Sequence, residues 1–471
     1  MFELSLEQIA KAVGGKVVGN SSTIVSGLST DSRDIEKGQL FAAIVGQRID
    51  GHDKVHEALQ AGAVATICSK SVPGDHVLVE ADKQFDLDPV IPALGKLAKF
   101  VRSQNLDLVV VGVTGSSGKT STKDLIGQVL ASYAPTCAPS GSPNNELGLP
   151  QTILQAPSDT KYLVAEMGMR GLGHIAYLAD IAKPDIGVVT NVGHAHVGEV
   201  GSVENIAKGK SELVKALSAD GIAVLNHDDP NVREMAKVTK AKVLTYGLGT
   251  KADVRAENLN TLPDGSTTFT LVIDDNRAEI KLPLLGEHNV SNALAAAAVG
   301  WSVGMTIGDI AKVLSQVIAK SKWRMEVHHL SNEVTLINDA YNANPESMTA
   351  ALKTLASIKT EGKRFAVLGA MHELGSDSVS AHDQIGRLVV RLNIEQLVVV
   401  GQIAKTLHLG AEQEGSWDGE SVWFADFQGA CDYICRRVNS HDVLLFKASR
   451  SEKFDELAQL VADQLNAKGE K

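Results

Sequence analysis

The run Val109-Val110-Val111-Gly112-Val113-Thr114-Gly115-Ser116-Ser117-Gly118-Lys119-Thr120 joins an apolar strand to a loop of glycines and hydroxyls. A lysine and a helical stripe of Leu125, Ile126, Val129 and Leu130 follow. Such a turn aims backbone N–H groups and the positive end of a helix dipole at one point, where phosphate oxygens fit. Gly115 and Gly118 allow close approach, Lys119 brings a mobile charge for the β- and γ-phosphates, and the Thr120 hydroxyl can ligate Mg²⁺. The chemistry expected is that of a nucleoside triphosphate. Position 113, where the general pattern has glycine, holds valine, which leaves the shorter form Thr114-Gly115-Ser116-Ser117-Gly118-Lys119-Thr120. A bare Gly/Ser loop before a helix is usually just a turn; the Lys-Thr pair and the preceding strand set this one apart.

In doubly wound sheets ligands bind beyond the carboxyl ends of strands, so polar residues at later strand ends come next. Glu166 closes the apolar run Tyr162–Glu166, where a carboxylate either coordinates Mg²⁺ or caps a loop. The segment Thr190-Asn191-Val192-Gly193-His194-Ala195-His196 sets two histidines at alternate positions. Zinc is the rival reading there, but no third His or Cys stands at ligand spacing, and a plain loop role is open too. Lys210 falls in an expected helix from Val203 toward Leu217, where spacing alone describes a solvated lysine. Asn289 and Asn292 precede an alanine-rich helix at Ala293–Gly300; they suit an adenine edge and serve equally as helix caps.

The elements that must position these groups fall into three units. At 471 residues the chain exceeds what one core organises, and two or three domains are expected. Residues 1–106 carry short α/β signals: helices at Leu6–Val13 and Val55–Ala61, strands at Leu40–Ile44 and Ala65–Cys68, then a polar, proline-bearing stretch over 82–92 that leads through a helix to the phosphate loop. Residues 107–322 alternate helices with strands at Tyr162–Glu166, Ile186–Thr190, Ile222–Asn226 and Val243–Tyr246, which predicts a mostly parallel sheet. Thr267–Ile273 alternates polar and apolar residues, as an antiparallel hairpin appended to that sheet does. Residues 323–471 carry strands at Val334–Asn338, Arg364–Leu368, Gln396–Val400 and Val443–Phe446 and a last helix from about Glu452 to Leu465, again doubly wound. The fold class expected is α/β: a small N-terminal substrate unit, a central P-loop ATPase-type sheet and a C-terminal Rossmann-like unit.

Composition narrows the function. The 45 basic and 56 acidic residues leave a net charge of −11, which opposes non-specific nucleic-acid binding, so an anionic substrate must meet locally positive sites. Cys68, Cys137, Cys431 and Cys435 form neither a zinc knuckle nor a C-x-x-C pair and read as buried thiols of a reducing compartment. The start Met1-Phe2-Glu3-Leu4-Ser5-Leu6-Glu7 lacks the features of a signal peptide, and no apolar run reaches the ~18 residues of a membrane span. A cytoplasmic protein is expected.

Taken together the chain resembles the Mur ligases, the ATP-dependent amide-bond-forming enzymes of peptidoglycan synthesis. The resemblance spans all three units and rests on Thr114–Thr120, Glu166, Asn191 to His196, Lys210, Gly286–Asn292, Trp323-Arg324-Met325-Glu326 and Asn338-Asp339-Ala340-Tyr341-Asn342-Ala343-Asn344-Pro345. Ser29-Thr30-Asp31-Ser32-Arg33, Pro143–Gly148, Gly369–Gly375 and Lys447–Ser451 are similar to the members that add D-alanyl-D-alanine to UDP-N-acetylmuramoyl-tripeptide. Ala370 and Ala448 stand where that pattern commonly has Asp and Gly.

The resemblance implies roles for these residues. Lys119 would contact the γ-phosphate, and Thr120 and Glu166 would hold one Mg²⁺. His196 and a carbamylated Lys210 would hold a second Mg²⁺. Asn289 and Asn292 would face adenine, while Arg324 and Asp339 would reach the phosphates and the ribose. Ser29, Thr30, Asp31, Ser32 and Arg33, with Asn144 and Asn145, would lie along the UDP-linked substrate of a monomeric enzyme. A folylpolyglutamate-type or cyanophycin-type ligase would share the P-loop, but the folate class begins almost directly with its ATPase unit, and here 106 residues precede it. A nucleotide switch without ligation would leave Asn144, Asn145 and the third unit without a purpose.

Overall fold

The computed structural model describes residues 2–81, 87–193, 197–415 and 419–469, and three larger sheets organise them. The first has the order Lys16–Val18, His76–Leu78, Ala65–Cys68, Leu40–Ala42, Leu28–Ser29, parallel except for its first pair. The strand expected to reach Ile44 stops at Ala42, because the chain folds back there and Gly51 N donates to Ile44 O. Beside it, helix Leu6–Val13 starts in a Ser5–Gln8 capping box and ends at the left-handed Gly14, burying Leu6, Ile9, Ala10 and Val13.

The helix expected after the polar stretch over 82–92 is present and begins within it, at Val90. Residues 82–86 lie outside the described residues, but Val90–Gln104 is helical, with Pro92 in its first turn, where a missing N–H costs little. Its apolar face joins a core shared by the first and second units. Arg102 fastens its end to Ala182 O (3.2 Å) and Asp185 Oδ2 (3.1 Å).

The second sheet has nine strands. The strand leading into the phosphate loop, Val109–Thr114, lies between Tyr162–Glu166 and Ile186–Val189, both parallel to it, so Thr114, Glu166 and Thr190 finish side by side. Beyond Ile222–Asn226 and Lys242–Gly247, Val254–Thr261 continues parallel, and Thr267–Ile273 and Asn276–Leu282 complete the sheet antiparallel, as the alternation predicted. The alanine-rich helix is longer than expected, His288–Ser302, so Asn289 and Asn292 sit in its first turns rather than ahead of it. Its alanines, fully buried, let it lie against the helix that follows the phosphate loop, Lys119–Ala131, and a Cβ at Gly300 would stand 2.9 Å from Val129 Cγ1.

The third sheet runs Glu326–His329, Thr335–Asn338, Val443–Lys447, Arg364–Leu368, Gln396–Val400, Ser421–Phe424, with apolar clusters on both faces. Neither edge strand was expected: Glu326–His329 is mostly exposed and has no apolar run, and Ser421–Phe424 is half-buried with only the short run Val422-Trp423-Phe424. The last helix is Phe454–Gly469; a 3₁₀ turn at Arg450–Glu452 and the left-handed Lys453 delay its start. No described helix is long and apolar enough to cross a membrane.

Cys68, Cys431 and Cys435 are buried and Cys137 is half-buried, and burial pushes the Cys68 thiol up to about 11. With a thiol-specific disulfide reagent at neutral pH, the native protein should expose Cys137 alone, the other three reacting after unfolding. Rapid modification of a second thiol in the native state would contradict this packing.

Candidate active site

The phosphate loop leaves its strand at Gly115 (φ 154°) and enters the helix at Gly118 (φ 77°), conformations that favour glycine. The amides of Gly118, Lys119 and Thr120 have no acceptor among the described residues and open the 13-residue helix Lys119–Ala131, a seat for phosphate oxygens. Ser116 N and Ser117 N are already taken, by Asn191 O (3.0 Å) and Asn191 Oδ1 (2.9 Å), so Asn191 shapes the loop from the neighbouring strand end. Lys119 Nζ donates to Gly115 O at 2.9 Å. Protein packed around this ammonium pulls its pKa below the ordinary lysine value; Glu166 opposes that and Arg324 adds to it. In Gly115→Ala the new Cβ would stand 1.8 Å from Thr190 Oγ1. The expected result is an ADP Kd raised at least about tenfold, about 1.4 kcal/mol, in a calorimetric titration; an unchanged Kd would mean the loop relaxes freely.

Glu166 is 1 % exposed at its strand end. Its Oε1 accepts from Ser142 Oγ (2.6 Å) and Asn144 Nδ2 (2.8 Å), and its Oε2 from Thr120 Oγ1 (2.7 Å). Burial alone would push the carboxyl up, but Lys119 and these three donors outweigh it and hold it below its usual range, as an anion. Thr120 Oγ1 in turn accepts from Arg324 Nη2 at 2.7 Å, across 204 residues of sequence. Arg324 stacks on Tyr341, 3.9 Å from the ring centroid, and its Nε is buried without a partner among the described residues, beside the loop. One buried carboxylate, one hydroxyl and room for phosphate oxygens and water match what Mg²⁺ takes with a nucleotide. Among the described residues no three His, Cys, Asp or Glu side chains converge as a ready-made metal cluster.

Lys210 is not the solvated lysine its spacing describes. It lies in helix Val203–Ala216, 2 % exposed, with no hydrogen-bond partner among the described residues. Burial, with the Lys119 charge adding, holds its pKa well below the lysine value. His196 falls among residues 194–196, outside the described residues, as does its neighbour His194.

Asn289 and Asn292 line the same cleft, of about 770 Å³. Asn292 Oδ1 accepts from Thr122 Oγ1 (3.1 Å), Asn292 Nδ2 donates to Asn289 Oδ1 (3.0 Å), and Asn289 Nδ2 donates to Leu285 O (2.8 Å). They are locked rather than capping, and one amide N–H of each has no protein partner among the described residues. From the third sheet, Asp339 enters the cleft with Oδ1 accepting from Met325 N (3.0 Å) and Oδ2 from the buried Lys447 Nζ (2.6 Å). Ala370 and Ala448 are fully buried at the adjoining strand ends; a Cβ at Gly369 would stand 2.8 Å from that of Ala448, and Ser449 N donates to Ala370 O.

Of the other substrate-side residues, Asn144 also lines this cleft and the rest lie outside it. Asp31 caps the turn Ser32–Asp34 and pairs with Arg33 at 2.5 Å, which holds its carboxyl well below the usual range. Ser29 Oγ donates to Asp31 O, and Ser32 Oγ to Glu57. Thr30 accepts from Gln151 Nε2 at 2.7 Å, which brings the first unit against the segment that carries Asn144 and Asn145. Asn145 Oδ1 accepts from Gly148 N (2.8 Å) at the start of helix Gly148–Leu154, whereas Asn144 turns inward to Glu166. Ser142, which donates to Glu166 from 24 residues away, is a site neighbour that the sequence did not single out; Asn191, Tyr341 and Lys447 entered only within the motifs of the resemblance, with no role of their own.

Fold and site together define a P-loop nucleotide-binding α/β protein whose phosphate loop is met by an arginine delivered from outside its own sheet. Three family profiles match: Mur ligase family, catalytic domain over 24–102; Mur ligase middle domain over 113–300; and Mur ligase, glutamate ligase domain over 323–450. The chain belongs to the Mur ligase family. It is 41% identical to the UDP-N-acetylmuramoyl-tripeptide–D-alanyl-D-alanine ligase of Mycobacterium tuberculosis, over 98% of both chains. The ligase of that name from Bacillus subtilis is 34% identical over 98% of both chains. Among solved structures, MurF from Acinetobacter baumannii superposes with a TM-score of 0.88 at 30% identity, over 98% of this chain and 99% of that one. MurF ligase from Thermotoga maritima in complex with ADP gives 0.81 at 30% identity, over 94% and 99%.

Proposed function

We propose that this protein joins D-alanyl-D-alanine to UDP-N-acetylmuramoyl-tripeptide in the cytoplasm, converting ATP to ADP and phosphate and yielding the pentapeptide precursor of peptidoglycan. The observation that carries this reading is the 41% identity with a ligase of that name over nearly the whole of both chains. In this reading residues 1–106 hold the UDP-linked substrate through Ser29–Arg33, with Asn144 and Asn145 at the border. Residues 107–322 hold ATP, and 323–471 bring the dipeptide and close the site.

The tripeptide's terminal carboxylate attacks the γ-phosphorus of ATP, and ADP departs with the bridging oxygen, leaving an acyl phosphate. The amine of D-alanyl-D-alanine then adds to that carbonyl, and collapse of the tetrahedral adduct forms the amide, releasing phosphate and a proton. Lys119 and Arg324 neutralise charge on the phosphoryl oxygens, and the free amides of Gly118–Thr120 hold them in place. Asn289 and Asn292 orient the adenine with their remaining N–H groups, and Asp339, steadied by Lys447, takes the ribose. Because Arg324 comes from beyond the second sheet, closure completes the site and keeps water from the acyl phosphate.

Thr120 and Glu166 would hold one Mg²⁺, and His196 with a carbamylated Lys210 a second; bound there, the ions would supply Lewis-acid neutralisation of the phosphates. The carbamate is supported by the burial of Lys210 without a hydrogen-bond partner among the described residues, since a neutral amine adds CO₂ with loss of a proton and becomes an anionic oxygen donor. The enzyme acts as a monomer, with no nucleic-acid partner. The test supplies ATP, Mg²⁺, D-alanyl-D-alanine and UDP-muramoyl tripeptides bearing diaminopimelate or lysine, and seeks the pentapeptide by mass. Phosphate release without any pentapeptide would reject the proposal in favour of a nucleotide switch.

A further inference from the structure

Thr120, Asp124 and Gln128 stand one helical turn apart on the phosphate-loop helix, and all three reach the segment that leads from the second sheet to the third. Gln128 brackets one residue of that segment: its Nε2 donates to Ile318 O and its Oε1 accepts from Ile318 N, both at 3.1 Å. Asp124 Oδ2 accepts from Ser321 Oγ at 2.5 Å, and Thr120 accepts from Arg324 at 2.7 Å. The contacts step through every fourth residue of the helix and every third of the segment, in opposite directions. Asp124 is itself fixed by the fully buried Lys123, whose Nζ lies 2.8 Å from Asp124 Oδ1 and also donates to Pro139 O.

From Trp323 onward the main chain of the segment is bonded to the third unit instead, and the Arg324 side chain reaches back to Thr120. Tyr341 N donates to Trp323 O (3.0 Å) and Met325 N to Asp339 Oδ1 (3.0 Å). Trp323 (φ 59°) and Met325 (φ 51°) are bulky residues in left-handed conformations, a strain that persists because both neighbours hold the chain. Lys322, exposed, separates the two sets of bonds.

We propose that Gln128 and Asp124, through Ile318 and Ser321, are positioning residues for the ligation: they anchor the segment along the phosphate-loop helix so that Arg324 arrives at Thr120 and the triphosphate. The change of body falls at Lys322. A guanidinium three residues from a fixed point samples far fewer positions than one on a loose tether, so its contact with the phosphates is prepaid in order rather than found anew each turnover. This inference rests on the ATP-dependent reading above.

The test uses Gln128→Leu with Ser321→Ala, which spares the Lys123–Asp124 pair. The doubly substituted enzyme should lose about tenfold in kcat and lose nothing further when Arg324→Ala is added to it beyond what Arg324→Ala costs alone. Its Kd for ADP should stay within about twofold of wild type, because the loop's own groups are untouched. Residue-resolved amide exchange should speed up about tenfold at Ile318 and not at Met325. Unchanged kcat, losses that add to that of Arg324→Ala, or exchange rising equally at Met325 each overturn the proposal. Should the wild-type protein make no pentapeptide, the ligation reading falls by itself, and the exchange pattern alone then decides the anchoring.

Discussion

Lys119→Ala is expected to lower kcat/KM for ATP in the ligation by about 10³-fold, a loss of about 4 kcal/mol in transition-state stabilisation. The ammonium sits at the mouth of the loop, fixed by Gly115 O, where charge gathers on the transferring phosphoryl group. Its removal also acts on two neighbours. Glu166 loses the cation that does most to hold its carboxyl low, and Lys210 loses the repulsion that adds to its burial, so both pKa values rise. A partly protonated Glu166 and a more readily protonated Lys210 are each poorer sources of anionic oxygen in the proposed roles, so the charge deletion would weaken the proposed cation sites as well as the phosphate seat. Phosphate release measured with both substrates present checks this; a normal rate that still requires both would remove Lys119 from the mechanism.

Lys210→Met is expected to do two opposite things: to cut ligation by about 10³-fold, as loss of an anionic ligand at a charge-neutralising site does, and to make the fold more stable. The lysine is buried with no partner among the described residues, and methionine of similar length fills the space without a charge to desolvate. A gain of about 1–3 kcal/mol is expected in CO₂-free buffer. The sign with pH follows from the lowered pKa. The unfolded chain, with its lysine near ~10.5, holds the proton more tightly than the folded one, so wild-type stability rises with pH between the folded value and ~10.5. The advantage of Lys210→Met is therefore largest at low pH and shrinks toward ~10.5. Denaturant unfolding of both proteins across that range measures it. A variant less stable than wild type at neutral pH would mean that the buried amine has stabilising contacts, and the argument for a carbamate there would go with it.

The sequence by itself determined whatever chemistry depends on neighbouring residues. The phosphate loop was legible because its function needs a strand, two glycines, a lysine and a hydroxyl in one short stretch. The parallel sheets were legible because strands buried on both faces are continuous apolar runs. Edge strands such as Glu326–His329, exposed and without such a run, were not.

Tertiary structure decided the rest. Spacing put Lys210 on a solvated face, and only the packing of its helix against the phosphate-loop sheet makes it buried. Nothing near Asn191 in the chain says that its carboxamide claims a loop amide 74 residues away, or that Arg324 crosses 204 residues to reach Thr120. Composition and periodicity report which side chains prefer water and at what interval they recur. Burial, hydrogen-bond partners and shifted pKa values belong to pairs of groups that the chain brings together only when its sheets and their connecting segments are in place.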